Sequence, residues 1–488
     1  MSTTEPAAEA PDPAAPQHRT APPAQAPRAA QPARAGRLAL WIAILASFVS
    51  FLDGTVVTVA LPAIDRDLGG GLTTQQWVVD AYLITLGALI LVAGALSDTF
   101  GRVTVLRAGL IGFGVASIAI AAAPSALFLI VARSVQGVAG ALLVPSSLAL
   151  IMSTFRGKAE RARAIGTWTG ATTVAMLVGP VLGGVFVDAV SWRLVFLINV
   201  LPIAVTLVLL ARFARLHPRQ RTAPGGVIDV LGAVLCTLGL GLGAFALIES
   251  DRIGWHRPAI YLPAAGAVVL LVWFVLHQRT AAHPMLPLTL FKVRNFWAGN
   301  VATVLVYGAL AVNGFVIAVY LQQGAGLPAT LAGLASLPST VIMIVFSSRV
   351  GRVAGRTGPR WWMAGGPVVM AIGALLLLTV AEEFNYWWQV LPSIVVFGAG
   401  LTMTVAPLTT AVLGSIDESR SGIASAVNNA LARIAGLATV AALGAITAGS
   451  LDLPGFRRAA VATAVLMAAG GIASALGIRN PPQASGAE

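Results

Sequence analysis

The sequence predicts an all-α polytopic membrane protein. Of its 488 residues, 57% are hydrophobic and only 10% are charged, and the mean hydropathy is +0.84. Soluble proteins carry roughly 25% charged residues. The net charge of +12 does not indicate nucleic-acid binding, because the basic residues lie in short segments between apolar stretches. With Cys236 as the single cysteine, a disulfide framework or a cysteine-based metal site is excluded.

Fourteen apolar segments are long enough to cross a bilayer, which needs about 20 residues per helix. They are 38–61, 77–97, 104–123, 126–151, 163–188, 193–212, 226–249, 259–277, 296–322, 328–349, 362–381, 387–413, 421–449 and 459–478. If the N-terminus is cytosolic, most of the 31 basic residues fall in the inside segments. We therefore expect both termini in the cytosol.

An internal repeat divides the chain. The stretch GALSDTFGRVTVLRAG begins at Gly94, and GRVAGRTGPRWWMAGG begins at Gly351, so that Gly101 aligns with Gly358. A parallel repeat predicts two similar six-helix bundles with a substrate path between them. The repeat offset covers eight spans rather than six, so two helices are inserted between the bundles.

This organisation predicts five regions. They are a disordered, Pro/Ala-rich cytosolic tail over 1–37, an N-terminal six-helix bundle over 38–215, two inserted transmembrane helices over 216–280, a C-terminal six-helix bundle over 281–480, and a short cytosolic tail over 481–488. We do not expect the first tail to be a signal peptide, because the apolar run begins too late and is too long.

Asp53 lies inside the first span, in LALWIAILASFVSFLDGTVVTVALPAI. A charge at membrane depth costs on the order of 3 kcal/mol, so it normally faces a bundle interior or a water-filled cavity. We expect the protein to use this acid functionally; the alternative is a protonated or paired structural aspartate.

Arg133 lies in the fourth span, in LIVARSVQGVAGALLVP, together with Gln136. An intramembrane arginine needs an anion or a water-lined cavity, and Asp53 is a candidate partner. The alternative is a structural arginine bound to backbone carbonyls.

The tight loop after the second span contains Gly94, Asp98, Gly101 and Arg102. Glycine permits unusual dihedral angles and close helix approach, and the charge pair of Asp98 with Arg102 is suited to holding one conformation and releasing it in another. A simple turn with a surface ion pair is the alternative.

The fifth span contains MLVGPVLGGVFVD, with Gly179, Pro180, Gly183 and Gly184. Small residues on one face allow close helix packing, and proline bends the helix.

Few other polar groups lie within the spans. Asp80 is a candidate for proton entry or a solvated helix-end acid, and four outer acids should be solvated: Glu249, Asp251, Glu382 and Glu383. Asn428, Asn429 and Arg433 in the thirteenth span are suited to binding polar groups of a substrate, as is Gln136, or to joining helices.

No phosphate-binding loop, metal-ligand spacing or nucleophile–His–acid set stands out, so we expect no cofactor, metal or catalytic residue. The expected partners are a small-molecule substrate, protons and the lipid bilayer, and the expected state is a monomer.

The order of Asp53-Gly-Thr55, GALSDTFGR, Arg133 with Gln136-Gly137, GPVLGG and WRLVFLIN resembles the major facilitator superfamily, and more narrowly its fourteen-span drug:proton antiporters. The resemblance implies the major facilitator fold in a bacterial cytoplasmic membrane. It implies proton coupling at Asp53 and Arg133, gating by the loop from Gly94, and export rather than import from the glycines of the fifth span.

The chain departs from this family at three places. Thr99 stands where the loop often has a basic residue, Gly355 replaces the acid in the second loop, and the tenth and thirteenth spans lack acids that some members use for cationic drugs. The implied function is proton-coupled efflux of amphipathic small molecules by alternating access. The alternative is a dedicated exporter of one endogenous metabolite or antibiotic; a polytopic receptor or membrane enzyme lacks support in any soluble domain or catalytic cluster.

Overall fold

The computed structural model describes residues 30–155, 157–216, 228–417 and 420–480, and these residues form α-helices joined by short turns. The seventeen helices in this part of the chain are α1 (Ala30–Leu68), α2 (Gly71–Phe100), α3 (Arg102–Ala121), α4 (Ala126–Thr154), α5 (Lys158–Ala189), α6 (Leu194–Leu197), α7 (Val200–Leu216), α8 (Val230–Ile253), α9 (Pro258–Thr280), α10 (Arg294–Gln323), α11 (Ala329–Ala335), α12 (Leu337–Thr357), α13 (Arg360–Leu376), α14 (Leu391–Leu413), α15 (Ser421–Ala441), α16 (Leu443–Thr447) and α17 (Leu453–Gly477).

Fourteen helical segments are long and apolar enough to cross a membrane, which confirms the predicted number of spans. Two of the spans are broken near their outer ends. The sixth consists of α6 and α7, and the tenth consists of α11 and α12. Pro202 and Pro338 lie in the first turns of α7 and α12, where proline is tolerated but cannot continue a preceding helix.

The first helix begins earlier than predicted. α1 starts at Ala30, inside the stretch predicted as a disordered tail over 1–37. Alanine and arginine favour helix, and Pro32 falls in the first turn, where its missing N–H costs nothing. Residues 1–29 and 481–488, which complete the two predicted tails, lie outside the described residues.

The two repeated loops have matching backbone geometry. Gly101 between α2 and α3 has φ +88°, and Gly358 between α12 and α13 has φ +85°. These conformations favour glycine, because a Cβ atom would clash with the backbone. The sequence alignment of the two loops therefore corresponds to equivalent turns.

The predicted inserted pair, α8 and α9, packs together, and α8 also contacts α2 and α15. Trp77 of α2 donates a hydrogen bond to Glu249 of α8 over 3.0 Å. The pair therefore touches both of the predicted bundles.

The arginine distribution assigns one end of the helix bundle to the outside of the membrane. We call this end the outer end. An apolar cluster closes it with residues from both predicted bundles, including Trp192, Phe196, Tyr320 and Phe456. The rings of Tyr320 and Phe456 stack with centroids 4.0 Å apart.

Candidate functional site

Asp53 and Arg133 form a buried ion pair between α1 and α4. An arginine Nη1 lies 2.7 Å from Oδ2 of Asp53, and the side chains are 0% and 2% exposed. Burying either charge alone in an apolar bundle costs free energy. Each charge is tolerated here because the other neutralises it. The predicted pairing is therefore present in the structure.

Two amides complete the coordination of Asp53. Gln136 Nε2 and Asn199 Nδ2 each donate to Oδ1 of Asp53 over 3.1 Å. Gln136 also accepts from Arg133 over 2.6 Å and donates to Ser117 over 3.0 Å. All the groups around the carboxylate are donors, which suits its ionised form.

The guanidinium of Arg133 is held on three further sides. Its Nε donates to the carbonyl of Val78 over 3.0 Å, and its Cζ lies 4.3 Å from the ring centroid of Tyr82 and 5.8 Å from that of Phe196. Aromatic faces attract a cation and exclude water from it. Arg133 is thus fixed in position before any substrate binds.

A central cavity of about 630 Å³ lies between the two predicted bundles. Arg133 contributes to its wall, while the fully buried Asp53 lies behind Arg133 and does not. A volume in this range accommodates a drug-sized molecule. Most of the wall is apolar or aromatic, with scattered hydroxyl and amide groups: Ser50, Phe51, Thr55, Tyr82, Met176, Tyr307, Asn313, Phe315, Ser336, Ser339, Met343, Phe397, Leu401, Asn429 and Arg433.

Asp80 is a buried acid. The residue is 0% exposed, and neither carboxylate oxygen has a hydrogen-bond partner within the part of the chain that the structure describes. The alternative of a solvated helix-end acid is therefore wrong. α2 begins at Gly71, which places Asp80 more than two turns inside the helix.

Glu249 is also buried rather than solvated, contrary to expectation. It is 8% exposed, accepts from Trp77, and pairs with Arg252 over 2.8 Å. The end of α8 packs against α2, and this contact removes the acid from solvent.

The polar residues of α15 separate into two groups. Asn428 donates to Asn300 over 3.1 Å and to Thr303 over 2.7 Å, which joins α15 to α10. Asn429 and Arg433 instead line the cavity, whereas Asn428 and Gln136 are absent from its wall.

The glycine segment of α5 contacts two helices at the outer end. Gly179 and Gly183 face Thr55 and Val56 of α1, and Gly184 faces the backbone of α11 at Ala329 and Thr330. The carbonyl of Pro180 lies against Gly333 of α11. The predicted close packing is present, and it brings the two predicted bundles into contact.

Asp188 strengthens this contact. Its carboxylate accepts the backbone N–H groups of Ala329 over 3.0 Å and Thr330 over 2.7 Å. These are unpaired donors of the first turn of α11, so the acid caps a helix of the other bundle.

At the loop after α2, Arg102 begins α3 and engages a neighbour, while Gly94 has open space around it. The side chain of Asp98 lies outside the described residues, so its pairing with Arg102 stays a prediction.

The sequence analysis missed the contacts that Asn199, Ser117 and Tyr82 make around the ion pair. Asn199 offered a signal, since it is a single amide within the apolar stretch LVFLINVLP. Ser117 and Tyr82 offered none, because serine and tyrosine are common in membrane helices.

A model of the Major Facilitator Superfamily matches residues 43–440. The chain is 34% identical to the probable actinorhodin transporter of Streptomyces coelicolor over 85% of this chain and 72% of that protein. It is 33% identical to the methylenomycin A resistance protein of Bacillus subtilis, over 83% and 86% respectively.

The chain is also 34% identical to the multidrug efflux pump LfrA of Mycolicibacterium smegmatis, over 84% of this chain and 80% of that protein. Among solved structures, the crystal structure of the peptide transporter POT in complex with sulfate matches with a TM-score of 0.66 and 15% identity, covering 89% of this chain and 93% of that one. This last likeness concerns the fold alone.

Proposed function

Because this chain belongs to the major facilitator superfamily, as a multi-pass transporter of the bacterial cell membrane, we propose that it exports amphipathic small molecules in exchange for protons, with Asp53 as the coupling acid. The resemblance and the fold class drawn from the sequence are confirmed, whereas the cytosolic location of both termini stays a prediction. Alternating access and proton coupling are general in this family, and the assignment of the coupling residues is our proposal.

The single observation that supports this proposal most is the Asp53–Arg133 pair at the edge of the cavity. In the described conformation the Asp53 carboxylate accepts hydrogen bonds from Arg133, Gln136 and Asn199, and an apolar cluster closes the outer end. A proton that binds Asp53 removes the negative charge that neutralises Arg133. The freed guanidinium then favours a different packing of α1 against α4, which links proton binding to the movement of the helices.

Asp80 is the second candidate for proton binding. Its buried carboxyl lies on α2, the helix that contacts α4, α8 and α15, and it has no hydrogen-bond partner from any described residue. An unsatisfied buried acid of this kind requires an explanation, and a role in proton transfer supplies one.

One proton provides enough energy for useful export. A membrane potential of 100 mV contributes about 2.3 kcal/mol per charge, and one pH unit contributes about 1.4 kcal/mol. One proton per cycle therefore supports a substrate gradient of roughly several hundred-fold.

The test is Asp53→Asn in inverted membrane vesicles, with substrate-evoked proton release as the measurement. We expect the variant to lose it, because asparagine cannot exchange a proton. Asp67→Asn is the matched control: the same change on the same helix, in an exposed pair with Arg193. Undiminished proton release from Asp53→Asn would refute the role of Asp53.

A second candidate function is the export of one endogenous antibiotic or metabolite. The names of the relatives favour neither reading, since they include transporters named for one antibiotic and a multidrug pump. A deletion strain decides: sensitivity to many unrelated compounds supports broad efflux, whereas the loss of one compound from the medium supports a dedicated exporter. Neither reading assigns an enzymatic activity to the chain.

A further inference from the structure

The charge lining the central cavity is positive. Among the described residues of its wall, Arg133 and Arg433 are the charged ones, and none is Asp or Glu. Asp53 neutralises Arg133 through the ion pair. The net charge that a substrate meets in this conformation therefore comes from Arg433.

Arg433 has no comparable acidic partner among the described residues. It is half-buried on α15, and within the described part of the chain it has no ion pair or hydrogen bond. The rings of Tyr82 and Tyr307 line the same cavity as Arg433. An arginine at membrane depth normally pairs with an anion, and this one is directed at the space that a substrate would occupy.

The groups next to Arg433 are also suited to binding an anion. Asn429 lies one helical turn before Arg433 and also lines the cavity, as does Tyr307 of α10. A guanidinium, an amide and a phenol together offer hydrogen-bond donors to a carboxylate, phenolate or sulfonate. The remaining wall is largely apolar and accepts the rest of an amphipathic molecule.

We propose that Arg433 makes this cavity selective for amphipathic anions over neutral or cationic molecules of the same shape. This rests on the proposed export function, whose substrate class it specifies. The absence of wall acids in the described part of the chain gives a cation no partner, and Arg433 repels it. Arg433 is then the residue that determines specificity.

The test uses two dyes with one scaffold, anilinonaphthalene sulfonate and the uncharged N-phenylnaphthylamine, with ethidium as a cation. Binding to the purified protein in detergent is measured as the rise in Tm with increasing dye concentration. We expect Arg433→Gln to weaken sulfonate binding about tenfold to a hundredfold and to leave the neutral dye within about twofold. Arg433→Lys should fall between, since lysine keeps the charge but loses the planar fork.

Asp53→Asn should change sulfonate binding in the opposite direction. It leaves Arg133 unneutralised at the cavity wall, so the ratio of sulfonate affinity to neutral-dye affinity should rise above that of the wild type, whatever stability the variant loses. Arg257→Gln, an exposed arginine between α8 and α9, is the matched control and should change neither dye. A lower affinity that arose only from damaged folding would affect both dyes equally.

The proposal would be overturned if the wild type bound the sulfonate and the neutral dye with equal affinity, or did not bind the sulfonate. It would also be overturned if Arg433→Gln lost affinity for both dyes equally. Dye uptake into energised inverted vesicles separates this from the proposed function. If Asp53→Asn abolishes uptake and the wild type moves both dyes equally, proton-coupled export stands and anion selectivity fails.

Discussion

Gly184 of α5 and Thr330 of α11 meet backbone to backbone at the closed outer end. A Cβ added at Gly184 would lie 2.5 Å from the Cα of Thr330, and real Cβ atoms essentially never approach this closely. Any side chain at position 184 must therefore push the two helices apart. This contact is one of those that keep the cavity closed at the outer end.

We expect Gly184→Ala to open the outer end more often. The measurement is the rate at which an impermeant reagent alkylates a cysteine placed at Asn313 in the cavity wall, with Cys236 replaced by serine. Gly170→Ala on the same helix is the control, because a Cβ there meets nothing within 4 Å. Equal alkylation rates in the two variants would contradict the assignment of Gly184 to the closed contact.

Arg133→Gln should destabilise the protein strongly. The change leaves Asp53 buried without its cation, and breaking a buried pair in this way costs about 3 to 5 kcal/mol. Thermal unfolding in detergent measures the effect. The double variant with Asp53→Asn should recover part of the loss, since no unpaired charge remains; Arg193→Gln, in an exposed pair, should change Tm little.

Gly101→Ala should lower stability by about 1 to 3 kcal/mol, because φ +88° is strained for a residue with a side chain. Gly94→Ala is the natural comparison. It lies in the helical part of the same segment with open space around it, so it should be neutral or slightly stabilising. If the two substitutions lower Tm equally, the turn at Gly101 does not depend on its backbone conformation.

Asp229 should make stability depend on pH in the acid range. Burial acts to raise the pKa of Asp229, but donors from Gln278, the backbone of Gly232 and His277 outweigh it and lower that pKa below the ordinary value. A carboxyl of this kind stabilises the fold above its unfolded pKa of about 3.9. That stabilisation is lost as the pH falls through the lower, folded value.

The corresponding measurement compares Tm of the wild type and Asp229→Asn between neutral pH and about pH 3. At neutral pH the wild type should have a higher Tm than Asp229→Asn, because Asp229 caps α8 and holds it to α9. The difference should shrink below roughly pH 3.9. A constant difference across the range would show that the charge of Asp229 contributes nothing.

The spans and the central ion pair could be predicted from the sequence for a physical reason. A long apolar segment has one stable environment, and two opposite charges at membrane depth are tolerated when they meet. The charge of Asp53 in one span and that of Arg133 in another therefore predicted that the two residues pair, although 80 residues separate them in the sequence.

Other features depend on tertiary contacts that the sequence does not contain. Glu249 lies at a helix end, and whether it is solvated depends on how closely Trp77 of α2 approaches. Asn199 is a neutral amide that a membrane helix tolerates in many roles. Its place beside Asp53 follows from how α6 and α7 pack against α1, which no local pattern indicates.

The unneutralised charge of Arg433 has an electrical consequence. An exporter that releases one monovalent anion for each proton it admits moves two charges per cycle in the same electrical sense. The membrane potential then acts twice, at about 2.3 kcal/mol per charge for each 100 mV. For such cargo, voltage rather than acidity is the main source of power, and collapsing the potential alone should slow export more than collapsing the pH gradient.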